Sequence, residues 1–167
     1  NEPAITATAK EFPNVKFAVI DAVPGEGQLP NALGVVFREH EGSFLVGYVA
    51  GKLSRTGVVG FIGGMDIPLI HKFEAGFRAG AEYAFQEDGI QGRVLVGYVG
   101  NTPAAWNDPA KAKEIASSQA RQGADIIYAA AGGSGLGLID FVKEEMCLRA
   151  RGPVRFVRED RFAAVPK

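Results

Sequence analysis

The chain reads as an α/β protein built on parallel sheet, and three observations predict it. A strand–turn–helix pattern recurs three times, with apolar runs beginning near Val58, Val94 and Ile126, each followed by a glycine-bearing connection and a helix. Alternation of this kind implies parallel strands joined by right-handed crossovers. The apolar runs are short and nearly continuous, as strands covered on both faces require. Finally, 22 glycines in 167 residues suit many tight strand-to-helix turns better than a bundle of long helices. Three such units make about half of a doubly wound domain.

Taken in order, residues 3–11 read as the end of a short amphipathic helix stopped by Pro13. Residues 16–21 (KFAVID) form an apolar run closed by Asp21, the pattern of a parallel strand buried on both faces. Residues 24–31 are a loop, and residues 33–37 a further short strand. A helix follows over about 41–53. It carries Gly42, Gly47 and Gly51, each of which weakens a helix by about 1 kcal/mol relative to alanine. Close packing against a sheet explains them better than propensity does.

Residues 58–62 are the next strand, running into Gly63-Gly64. Pro68 opens a helix whose Leu69, Phe73, Phe77 and Ala81 recur every four residues, with Gly76 and Gly80 beside them. Residues 94–99 form the following strand, and a long connection (100–110) contains Trp106. Asp108-Pro109 is an N-cap with proline at the first helical turn, and that helix stops at Gly123. Residues 125–131 are the last clear strand, turning through 132–135 into a helix that reaches about Cys147. From Leu148 onward the pattern breaks into an arginine-rich stretch with a short β-like VRFV (154–157) and no clear helix, which reads as an exposed insertion or hairpin.

Composition narrows the function classes. The 18 basic and 19 acidic residues nearly cancel, giving little support for steering toward nucleic acid or an anionic membrane. No apolar run approaches the roughly 18–20 residues of a membrane span. The single cysteine, Cys147, has no internal disulfide partner. His40 and His71 lack a second ligand at metal-binding spacing, so no metal site is expected. No nucleophile elbow and no P-loop lysine are present, so no catalytic residue is expected either.

What remains is a set of strand-end residues. Asp21, Asp66, Trp106 and the Gly132-Gly133 turn all follow presumed parallel strands, where open α/β sheets place ligands. A carboxylate there accepts hydrogen bonds, an aromatic ring stacks on a planar ligand, and glycine lets backbone come close. The same positions have plainer readings, since the aspartates can cap helices and Trp106 can pin its loop. The GGSGLG run (132–137), with Glu159 or Asp160 downstream, loosely matches a dinucleotide fingerprint but misses its register.

The run FREHEGSFLVGYVAGKLSRTGVVGFIGGMDIPLIHKFEAGFRAGAEYA, followed by DPAKAKEIA and GADIIYAAAGGSGLG, resembles the basic membrane protein family over about residues 10–145. These are substrate-binding lipoproteins of bacterial ABC transporters, among them purine-nucleoside receptors. The resemblance implies a type I periplasmic-binding-protein fold of two α/β lobes closing on ligand. Residues 1–54 would then be part of the first lobe, 55–147 the first half of the second, and 148–167 an insertion or hairpin. It implies further family strands before Asn1 and after Lys167.

Residue by residue, Asp21 matches the acid after a ligand-facing strand and Gly132 the glycine whose backbone lines the pocket. Trp106 stands where the family usually carries a stacking phenylalanine, on a loop longer than the usual Gly-Ser-Phe. Gly133 and Asp66 join the ligand-binding set from the strand-end reading, Asp66 as a contact of second rank. The implied function is capture of a small molecule, with a purine nucleoside leading, and its delivery to a membrane permease. No cofactor and no nucleic acid are implied. Membrane attachment would be through a lipid anchor outside this chain, on the outer side of the bacterial cell membrane. The opposing readings are a dinucleotide-dependent oxidoreductase using GGSGLG and Asp160, and a ligand-sensing protein with the same lobes.

Overall fold

The computed structural model describes residues 2–24, 29–148 and 155–156. The chain divides into two units, Asn1–Arg38 and Glu39–Lys167. In the first, helix α1 (Glu2–Glu11) precedes strands β1 (Phe17–Ile20) and β2 (Ala32–Val35). The strands pair in parallel, with Phe17 opposite Ala32 and Ile20 opposite Val35. The side-chain amide of Asn31 donates toward the carbonyls of Ala9, Phe12 and Val15 at 2.9, 3.1 and 2.9 Å. These bonds hold the chain after α1 against the start of β2. The expected burial of β1 on both faces is not met, because half-buried and exposed positions alternate along it and Ile20 is 68% exposed.

The second unit contains α2 (Glu39–Leu53), β3 (Val58–Met65), α3 (Pro68–Glu87), β4 (Arg93–Gly100), α4 (Pro109–Arg121), β5 (Ile126–Ala130), α5 (Leu136–Leu148) and β6 (Arg155–Phe156). All strand pairs are parallel, in the order β4-β3-β5-β6. Side chains of β3 alternate between two cores, as a period of two demands. Val59 and Phe61 join Phe77, Ala81, Phe85 and Tyr128 on the face covered by α3. Ile62 joins Ile127, Ala112, Ala116, Leu138 and Phe141 on the face covered by α4 and α5. The α/β class with parallel sheet and flanking helices is therefore as the sequence predicts.

Three features differ from the sequence reading. The glycines of α2 pack against a helix and not a sheet. A Cβ at Gly47 would lie 1.9 Å from the Phe77 carbonyl oxygen, and one at Gly51 2.7 Å from the Ala84 Cβ. The fit is reciprocal: a Cβ at Gly76 or Gly80 would strike the carbonyls of His40 or Phe44. Missing side chains on both helices let the two backbones touch, and α2 lies in the same compact unit as α3, where the sequence reading groups it with residues 1–54. Gly42, by contrast, meets nothing within 4 Å.

The third difference is at the C-terminal end. Arg155 and Phe156 pair with Ile126 and Ile127 as a fourth parallel strand, where the sequence pattern suggests an insertion or hairpin. Glu159 and Asp160, and the side chain of Cys147, lie outside the described residues. Among the described residues, no helix is long and apolar enough to cross a membrane.

Candidate functional site

The strand order creates the site. From β3 the chain crosses to β4 on one side, then returns past β3 to β5 on the other. Right-handed crossovers in opposite directions put α3 and α4 on opposite faces, so the loops part at the carboxyl ends of β3 and β5. The connection from β4 to α4 must pass over the end of β3 to reach the far face. It does so through a short 3-10 turn, Pro103–Trp106, which carries Trp106 to that crevice.

Trp106 is half-buried there. A Cβ at Gly64, near the end of β3, would lie 2.5 Å from Trp106 Cζ3, and one at Gly132 3.5 Å from Trp106 Cε3. Gly132 has φ +54°, a left-handed conformation that favours glycine. Gly133 lies against the Trp106 carbonyl, where a Cβ would come within 3.0 Å. Trp106, Gly132 and Gly133 therefore come together, with Gly64 as a partner that spacing alone did not single out.

The loop around Trp106 is bound on both sides. Ser134 Oγ donates to the Ala105 carbonyl and accepts from the Asp108 N–H, each at 2.7 Å. Asp108 in turn caps α4 by accepting from the Lys111 N–H at 2.9 Å, as its place before Pro109 predicts. Ser134 is fully buried. A serine flanked by glycines after a strand was the available signal, but its partners lie 29 and 26 residues away.

Asp66 follows β3 at the same edge and is half-exposed. Its backbone N–H donates to the Gly100 carbonyl at 2.8 Å. It does not cap α3, whose N-cap is Ile67; instead its Oδ1 lies 2.6 Å from His71 Nε2. The His71 ring meets Tyr98 edge-on at 5.6 Å, and Tyr98 donates to Glu74 Oε2 at 2.7 Å, with Arg78 donating to the other oxygen at 3.0 Å. Burial and the Glu74 hydrogen bond push the Tyr98 hydroxyl well above its ordinary pKa. Burial works to raise Glu74, but the bonds from Tyr98 and Arg78 outweigh it and hold the carboxyl below its ordinary range.

Asp21 belongs to the first unit, exposed just past β1, its N–H donating to the Val35 carbonyl at 2.9 Å. It is the one described non-glycine residue at positive φ, +61°. Aspartate tolerates that region better than most residues, and such conformations gather at functional sites. An apolar groove of about 580 Å³, lined by Phe44, Leu45, Ala75 and Ala79 among others, lies on α2 and α3 and includes none of the strand-end residues. Among the described residues, no group of three or more His, Cys, Asp or Glu could hold a metal.

The chain as a whole is similar to known proteins. Residues 2–147 match the family model Bmp, described as ABC transporter substrate-binding protein PnrA-like. Basic membrane protein A2 of Borrelia garinii subsp. bavariensis is 37% identical over 139 residues, 83% of this chain and 39% of that protein. Basic membrane protein D of Borreliella burgdorferi is 41% identical over 137 residues, 81% of this chain and 38% of that protein. The chain thus spans about two fifths of the length of these relatives. A solute-binding protein of an ABC transporter system from Aeropyrum pernix has a similar structure, with TM-score 0.79 and 29% identity over 88% of this chain and 40% of that one. A transcriptional activator from Bacillus halodurans, at 21% identity and TM-score 0.67, shares the fold over 87% of this chain and 46% of its own. With the family model matching nearly the whole described chain, this protein belongs to the Bmp family of PnrA-like ABC transporter substrate-binding proteins.

Proposed function

We propose that this chain is part of a substrate-binding protein of a bacterial ABC importer that captures a small planar molecule, a purine nucleoside, and passes it to a membrane permease. The observation that carries the reading is Trp106, held half-buried on a glycine-lined crevice at the carboxyl ends of β3 and β5. An aromatic ring there offers a stacking surface worth about 1–3 kcal/mol per base. Gly132 and Gly133 let backbone groups approach a ligand, and Asp66 retains a second carboxylate oxygen beyond the one facing His71. Asp21 is the ligand-binding residue assigned in Asn1–Arg38; a carboxylate of this kind accepts from ribose hydroxyls or base N–H groups.

The role is binding without chemical turnover, a reading supported by the family's description as substrate-binding. The Gly132–Gly135 turn supports Trp106 through its own packing and through Ser134, a structural use that favours capture over dinucleotide chemistry. The family match supports a place outside the cytoplasm; attachment through a lipid anchor and partnership with a permease belong to the proposal. Calorimetric titration of the complete protein with guanosine, adenosine and inosine tests the proposal. Heat of binding at micromolar or tighter affinity is expected. No heat and no thermal shift with any of the three would remove the nucleoside assignment, and NAD binding at Gly132–Gly135 would replace it with the oxidoreductase.

A further inference from the structure

We propose that Ser134 is the positioning residue that fixes Trp106 as a preformed ligand platform; the ligand half of this statement rests on the function proposed above. The hydroxyl is fully buried and has a single proton, which it donates to the Ala105 carbonyl while accepting from the Asp108 N–H. Those two backbone groups flank Trp106, one residue before it and two after it. One side chain on the turn after β5 thereby clamps both shoulders of the loop after β4. Both bonds are 2.7 Å, an ordinary length for a hydroxyl donor and the short end for a backbone N–H.

Neither bond runs within a helix or strand ladder, so neither is needed to build the sheet. Gly133 lets the turn press against the Trp106 carbonyl and Asn107, bringing Ser134 within reach. Gly64 removes the side chain that would occupy the ring's place. The ring is therefore set before ligand arrives, and preorganisation of this kind lowers the ordering cost of binding.

Trp106 is the chain's one tryptophan, so its fluorescence reports this loop directly and without ligand. In Ser134→Ala we expect red-shifted emission, stronger acrylamide quenching and exchange of the Asp108 amide faster by about tenfold. Phe85→Leu, a buried change on α3 beside Gly92, should lower the melting temperature without moving the emission. Emission and quenching of Ser134→Ala identical to wild type, measured where circular dichroism shows it folded, would overturn the assignment. If that variant does not fold, wild-type exchange decides: the Asp108 amide should exchange at least about tenfold slower than an unstructured reference, and exchange at the reference rate overturns the clamp.

In nucleoside titrations, Ser134→Ala should weaken binding less than Trp106→Ala, and the double variant should bind no worse than Trp106→Ala alone. Additive losses would show that Ser134 acts other than through Trp106. The spectroscopic readouts need no ligand, so a protein that binds no nucleoside loses the proposed function while the clamp is judged separately.

Discussion

Trp106 and Gly64 are interlocked: the indole occupies the volume that any side chain at position 64 would need, with Cζ3 and Cε3 only 2.5 and 2.7 Å from the Cβ position. Ala131 Cα closes the other side at 3.2 Å. Gly64→Ala must therefore displace the ring or the strand. Overpacking of this sort costs about 1–3 kcal/mol. Chemical denaturation should show that loss, accompanied by a shift in Trp106 emission.

Trp106→Ala removes the proposed stacking surface. Affinity for the proposed nucleoside ligand should fall by more than tenfold, or about 1.4 kcal/mol, in calorimetric titration of the complete protein. Unchanged affinity would take Trp106 out of the site and leave it as a loop anchor.

The seam between α2 and α3 gives a paired prediction. Gly47→Ala places a methyl group 1.9 Å from the Phe77 carbonyl oxygen, so the helices must part, at a cost of about 1–3 kcal/mol. Gly42→Ala, in the same helix but with nothing within 4 Å, should stabilise the protein by about 0.4–1 kcal/mol. Thermal melts of the two variants should move in opposite directions.

Asp125 closes the opposite end of the sheet. It accepts from Ser54 Oγ at 2.7 Å and from the Arg55 and Thr56 N–H groups at 2.6 and 3.3 Å. Asp125→Ala leaves these donors to water or unpaired, a loss of about 1–3 kcal/mol. Urea denaturation should place Asp125→Asn, which keeps one carbonyl oxygen, between alanine and wild type.

The Glu74–Tyr98 bond predicts a stability profile with two edges. Glu74 ionises more readily in the folded state, so its contribution is present above its unfolded value near 4.5 and is lost as pH falls through the lower folded value. Tyr98 holds its proton more tightly when folded. Its contribution is full below its unfolded value near 10 and is lost as pH rises beyond it. The stability difference between wild type and Tyr98→Phe should be greatest at neutral pH and shrink at both ends.

Local features of the chain were legible because local chemistry decides them. Asp108 before Pro109 marked the start of α4, glycine at 123 marked its stop, and short apolar runs marked β3, β4 and β5. The α2 glycines announced a close approach but not its partner, since a missing Cβ says nothing about whether sheet or helix fills the space. The VRFV stretch reads as β-like, but only hydrogen bonding to β5 makes Arg155–Phe156 a parallel strand of this sheet. Asp66 and His71 stand five residues apart, outside the three- and four-residue spacings that bring helix neighbours together.

The sequence by itself determined the α/β class, the order of strands and helices through α5, and the candidacy of Asp21, Asp66, Trp106, Gly132 and Gly133. Periodicity, caps and turn residues act over a few positions, and the family resemblance rests on the same residues. Only the tertiary structure decided that β3 lies between β4 and β5, that α2 packs on α3, and that Ser134 grips the loop carrying Trp106. Those relationships join residues tens of positions apart, where what matters is which backbone is free to come close and which hydrogen-bonding groups remain to be satisfied once it has.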